Sequence, residues 1–167
     1  AKITSKQASV DFAAELAANA RLYAAVLNPA HELWRDYGAT ARERMTTINL
    51  LRMIQIRPLL LAILDQLSAA EIRKTLKLMV SWGVRLLISG GLGGGTLERY
   101  YSDRAKEVRA GTLTTAADLV AAMRQVVPTD GQFETDFSTA TVSTHRLARY
   151  YLRALEKQHK GEEQPEL

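Results

Sequence analysis

The chain has no cysteine, and this removes disulfide scaffolds, thiolate metal sites and thiol nucleophiles together. Four prolines and ten glycines are few for 167 residues, and five of the glycines fall between Gly90 and Gly95, so long helices can run undisturbed elsewhere. No stretch alternates between apolar and polar residues for long enough to propose a sheet. No apolar run approaches the ~20 residues needed to cross a bilayer, so no membrane association is expected. Ala1 to Lys6 carries charge with no apolar signal core behind it, and a cytoplasmic location is the expectation. Neither sign of charge dominates. Twenty-two basic against 18 acidic residues give +4 and a pI near 9.5, an ordinary mixed surface with a mild lean towards polyanions.

The organising stretch is Pro58-Leu59-Leu60-Leu61-Ala62-Ile63-Leu64, which is apolar on every helical face. Such a helix must be sheathed by other helices or by lipid, and seven residues are too few for lipid. Pro58 in a first turn, with Leu and Ala following, favours helix over a short buried strand. With 47% hydrophobic residues the chain can bury a substantial core. The expectation is an all-α fold: a single-domain bundle of about seven or eight helices around this central one. The domain would span residues 1–160, with 161–167 a linker or tail.

From Gln7 to Leu27 the residues Val10, Ala13, Leu16, Ala17, Ala20, Ala24 and Leu27 recur at helical spacing, an alanine-rich face that a neighbouring helix could approach closely. Asn28-Pro29 stops this helix. A second runs from a Thr40 cap through Met45, Ile48, Leu51 and Ile54, and Pro58 either kinks it or starts the next. Ser68-Ala69-Ala70-Glu71 reads as a capping box ahead of the stripe Ile72, Leu76, Met79, Val80, Gly83, Leu86 and Leu87. Thr96 is expected to cap a helix ending at Gly111, and Thr114 or Thr115 one from Ala116 to Val126. A short helix from Thr129 to Phe137 places Phe133 and Phe137 on one face. The last, from Ser143 to about His159, is expected to bury Ala148, Tyr151, Leu152 and Leu155.

Chemistry is harder to find. Gly90 to Gly95 suggests a phosphate cradle, but Thr96-Leu97-Glu98 stands where a P-loop needs lysine and a hydroxyl, and the loop joins two helices, so it reads as a connector. His31-Glu32 begins like a zinc-protease helix, but Arg35 occupies the second histidine's place. His145 and His159 lie roughly 21 Å apart at ~1.5 Å per residue, too far to share a metal. No Gly-x-Ser-x-Gly elbow occurs. No catalytic residue, metal site or cofactor is expected in this chain. The strongest polar pattern is Arg146, Arg149, Arg153, Lys157 and Lys160, which fall within about 80° of one helix face at ~100° per residue. Rows of this kind either contact nucleic-acid phosphates or form a solvated face near a helix C-terminus.

Three stretches carry a family resemblance. They are Arg57-Pro58-Leu59-Leu60-Leu61; Trp82 to Arg85 with Leu97-Glu98-Arg99 after a loop; and Pro128-Thr129-Asp130 with Phe133 and Phe137, then Arg146 to Leu152 and Leu155-Glu156. Their order resembles the helical middle region of GmrSD-like proteins, relatives of modification-dependent restriction enzymes. In that family a ParB/sulfiredoxin-like domain hydrolyses nucleotide and an HNH-type domain cuts DNA. The family's Asp-Gly-Gln motif continues with a polar residue and arginine. Asp130-Gly131-Gln132 continues with Phe133-Glu134, late in the chain, and is read as coincidence. The HNH Glu-His-Ile signature does not occur.

The resemblance implies a non-catalytic helical connecting domain from a larger DNA-defence protein. Its partners would be the other domains of that parent, and DNA through the stripe from Arg146 to Lys160. The alternative is a protein-interaction or oligomerisation module, with Tyr100, Tyr101, Tyr150 and Tyr151 lining an apolar groove. Alternatively, each tyrosine pair simply puts one ring in the core and one at its edge.

Overall fold

The structure, a computed structural model, describes residues 5–90 and 92–160. It is all-α. Eight helices appear among the described residues, with no strand: α1 Lys6–Leu27, α2 Ala39–Leu50, α3 Arg57–Gln66, α4 Ala69–Ile88, α5 Gly94–Arg109, α6 Ala116–Met123, α7 Asp130–Thr139 and α8 His145–Lys160. Short 3-10 turns at Glu32–Arg35 and Ile54–Ile56 precede α2 and α3. No described helix is long and apolar enough to cross a membrane. The tail at 161–167 lies outside the described residues.

The apolar heptamer is the centre of the bundle. Leu59, Leu60, Ala62, Ile63 and Leu64 of α3 are buried, with α5 packed along one side and α1 across another. Burying a leucine or isoleucine side chain contributes ~1.5–3 kcal/mol, so this one helix supplies a large share of the drive to fold. It is not covered all round, since Leu61 is half-buried and Pro58 is exposed. Pro58 begins α3 afresh. The chain leaves α2 at Leu50 and turns through Arg52, which holds a left-handed φ of 56°. Ile54, expected on the buried face of α2, therefore sits in the following turn and is exposed.

Helix α4 packs on α2, α6 and α7, and of its predicted stripe Ile72, Leu76, Met79, Gly83 and Leu86 are buried, whereas Val80 is half-buried and Leu87 is exposed. Gly83 is there for space, because a Cβ would run into the thioether of Met53. Gly111, at φ +73°, closes α5 in the left-handed conformation expected of a C′ glycine.

The caps differ from expectation in three places. Gly38, at φ +86°, and Gly93 hold the N-cap positions of α2 and α5, where Thr40 and Thr96 were expected. Thr40 and Thr96 lie one and two residues inside their helices. At α4 the hydroxyl of Ser68 does accept from Glu71 N–H at 3.4 Å, but the Glu71 carboxylate turns away to α6. A complete capping box occurs at α6, between Thr115 and Asp118, and the three N–H and O–H donors of Thr114 and Thr115 hold the Asp118 carboxyl below the usual range.

The two ends of the chain are lightly attached. In α1 the buried residues are Ala25 and Val26, and the predicted face from Val10 to Leu27 is exposed throughout. Helix α7 has no buried residue. It is fastened by Arg85 of α4, which donates to the Pro128 carbonyl at 3.1 Å, pairs with the Asp130 carboxylate and lies over the Phe133 ring. In α8, Tyr151 is buried, but Leu152 and Leu155, expected in the core, are exposed.

Candidate nucleic-acid interface

Helix α8 lies beside α2, and a cleft of about 910 Å³ opens between them with Val80 of α4 in its lining. The α8 wall carries His145, Arg146, Arg149, Tyr150, Arg153 and Lys157, and the α2 wall carries Thr40, Glu43, Arg44 and Thr47. Four of the five residues in the predicted basic stripe are thus brought to one cleft. The fifth, Lys160, lies beyond the lining and pairs with Glu156 at 2.6 Å, one helical turn back.

The helical register explains this arrangement. Arg146, Arg149, Arg153 and Lys157 advance by three and four residues along α8, so they stay on one side while Tyr151 is buried on another. On α2, Ala41, Met45 and Ile48 point into the core, which leaves Thr40, Glu43, Arg44 and Thr47 on the outer side facing α8. The Arg44 guanidinium is anchored by donating to the Arg73 carbonyl of α4 at 2.7 Å.

Among the described residues of the lining, five cations, Arg44, Arg146, Arg149, Arg153 and Lys157, therefore face one carboxylate, Glu43. Lys157 Nζ stands 3.7 Å from that carboxylate, an exposed pair of the kind worth at most ~1 kcal/mol. Arg146 and Arg153 form no ion pair with another described residue. The Tyr150 hydroxyl is pushed above its ordinary pKa by desolvation and secondarily by Glu43, so it stays protonated and can donate. Planar guanidiniums spaced along a helix suit bidentate contacts to successive phosphate oxygens.

Arg44 and Glu43 escaped the sequence reading. Their helical spacing marks them as surface residues of α2, but nothing local tells that α8, a hundred residues later, faces them.

The other features once weighed for chemistry resolve structurally. His31 Nδ1 accepts from Leu33 N–H at 3.2 Å and caps the Glu32–Arg35 turn. Asp130 is held by Arg85, and Gln132 donates to Asp136, which lies one turn further along α7. The glycine stretch joins α4 to α5, and Gly91 lies outside the described residues. Tyr101 and Tyr151 are buried while Tyr100 and Tyr150 are half-buried, so each tyrosine pair puts one ring in the core and one at its edge. Burial without a hydrogen-bond partner holds the Tyr101 hydroxyl far above its ordinary pKa. Among the described residues, no three His, Asp or Glu side chains lie where they could hold a metal ion together.

Two further depressions differ in character. One of about 620 Å³ beside α1 mixes Arg21 and Arg35 with Glu32, Asp36 and Asp65, so its charge nearly balances. One of about 390 Å³ beside Gly83 is lined mainly by Leu51, Met53, Leu86, Leu97 and Tyr101. Of these three, the cleft between α2 and α8 has the strongest excess of one sign among its described lining residues.

Comparison of the chain with protein-family models, with curated proteins and with solved structures finds no match.

Proposed function

We propose that this chain is a non-catalytic helical domain that takes the phosphate backbone of DNA into the cleft between α2 and α8. It would belong to a larger DNA-defence protein of the type its sequence resembles and would position the catalytic domains of that protein. The observation that supports this reading is the convergence of five cations on one cleft whose described lining residues include a single carboxylate. Neutralising several phosphates releases counterions, and that release supplies most of the affinity in sequence-independent binding. The cleft offers charge and side-chain donors of the kind that contact phosphate, so the contribution proposed for it is positioning, with no base readout implied.

The test is binding of a fluorescent DNA duplex to the purified chain across a salt titration from about 50 to 300 mM. Binding should weaken steeply with salt. The Arg146→Ala/Arg149→Ala/Arg153→Ala variant should bind at least tenfold more weakly and flatten the log–log salt slope by roughly two to three. Equal affinity and equal slope for the two proteins would overturn the DNA reading. Nucleotide turnover by the purified chain would overturn the non-catalytic one.

A further inference from the structure

We infer that a second copy of this chain covers the outer face of α1, the two helices lying antiparallel. This does not depend on the DNA reading. Val10, Ala13, Ala17, Ala20, Ala24 and Leu27 advance by three, four, three, four and three residues, the spacing of a coiled-coil seam, and all six are exposed. Phe12, Leu16 and Tyr23 flank the seam on one side. Val10, Phe12 and Leu16 are 54%, 50% and 59% exposed, so this is apolar surface that no described residue covers.

The occupant follows from the order of sizes along the seam, which reads the same in both directions. Turned end over end onto itself, α1 sets Val10 against the partner's Leu27, Ala13 against the partner's Ala24 and Ala17 against the partner's Ala20. Large residues meet at the two ends and four small ones meet in the middle, where their lack of bulk lets the backbones approach closely. A parallel partner would stack Val10 on Val10 and Leu27 on Leu27, and the helix dipoles would repel; antiparallel, they attract.

Charge agrees with this choice. Asp11 and Glu15 lie across the helix from the seam, and Glu15 is held there by Arg109 of α5 at 3.5 Å. No charged residue lies on the seam between Val10 and Leu27, as expected for an interface core. With the flanking rings and Leu16 included, the two faces would bury on the order of 1,000 Å² together, which reaches the lower bound for a specific interface. A small interface of this kind predicts a reversible dimer.

Sedimentation equilibrium of the full chain, over roughly 1–100 µM, tests this. The mass should rise with concentration from 18.5 kDa towards twice that value. Ala17→Glu should hold it at the monomer value with an unchanged melting curve, since Ala17 is exposed in the monomer. Leu155→Glu, on the exposed face of α8, should leave the dimer intact. A wild-type chain that stays monomeric throughout would overturn the inference, and so would a dimer lost in Leu155→Glu but kept in Ala17→Glu. Orientation is read from the cysteine-free background. An oxidised equimolar mixture of the Ala13→Cys and Ala24→Cys chains should give the mixed disulfide dimer far beyond the twofold excess over each homodimer that random pairing gives. A merely random mixture, or predominant homodimers, would overturn the antiparallel arrangement.

Discussion

The indole N–H of Trp34 donates to the carbonyl of Ala25 at 2.8 Å, in a position fully shielded from water. That carbonyl is one of the last four of α1, which have no partner inside the helix. The others are also met: Asn28 N–H reaches Ala24 at 3.0 Å, and the Asn49 amide reaches Val26 at 3.0 Å and Leu27 at 3.4 Å. Helix α1 is therefore welded at its C-terminal end, and the rest of it projects along the surface.

Trp34→Phe leaves the Ala25 carbonyl buried without a donor. The expected loss is about 2 kcal/mol of unfolding free energy, the ~1–3 kcal/mol of an unmet buried polar group. Urea denaturation measures it, and amide exchange should quicken selectively in the last turn of α1.

On α3, neighbouring leucines should behave differently. Leu60 is fully buried and Leu61 half-buried. Leu60→Ala should cost ~2–5 kcal/mol, whereas Leu61→Ala should cost less than about 1.5 kcal/mol, because solvent can fill part of the space left. Chemical denaturation of the two variants checks the ordering, and equal losses would contradict the burial described for the central helix.

Glu71 links α4 to α6. Its carboxyl is held below the ordinary value of 4.5 first by the N–H of Ala116, at 2.8 Å, and then by the ammonium of Lys74. The folded chain thus keeps this group ionised at pH values where the unfolded chain protonates it. The unfolded state binds more protons, so the contribution is present above about pH 4.5 and is lost as the pH falls through the lower, folded value. Glu71→Gln keeps an acceptor for Ala116 but loses the charge. Its melting temperature should lie below wild type at neutral pH, and the gap should narrow on acidification to about pH 3.

Glu43 is the carboxylate of the α2–α8 cleft and lies 3.7 Å from Lys157. Glu43→Gln removes a repulsion towards phosphate and releases Lys157. At ~1 kcal/mol for unit charges about 4 Å apart in water, DNA affinity should rise about fivefold at low salt and the gain should fade at high salt. The same duplex titration reads it.

Much of the architecture was legible because composition and period suffice where burial is dense. The Pro58–Leu64 heptamer read as a sheathed helix and buries five of its seven residues, and the stripe from Ile72 to Leu86 lies against the core as its spacing required. The errors fall where the question is whether anything covers a face. The alanine-rich periodicity of α1 and the Leu152 and Leu155 positions of α8 look like core positions, yet a 3.6-residue period reports a face and not its neighbour. The buried pair in α1, Ala25 and Val26, is met by Trp34 and Asn49, which lie outside the helix, nine and 23 residues further along. The basic stripe was visible from the order of Arg146, Arg149, Arg153 and Lys157, whereas its opposite wall at Glu43 and Arg44 depends on tertiary placement. Gly38 and Gly93 displaced the threonine caps because each turn, not the first hydroxyl, sets where its helix begins.

The Arg85 tether has a consequence for the cleft. Helix α7 buries no described residue and α8 buries Tyr151 alone, so the gap beside α2 has one wall set in the core and one wall held mostly at its edge. Local opening of the second wall should therefore cost far less free energy than opening of the first.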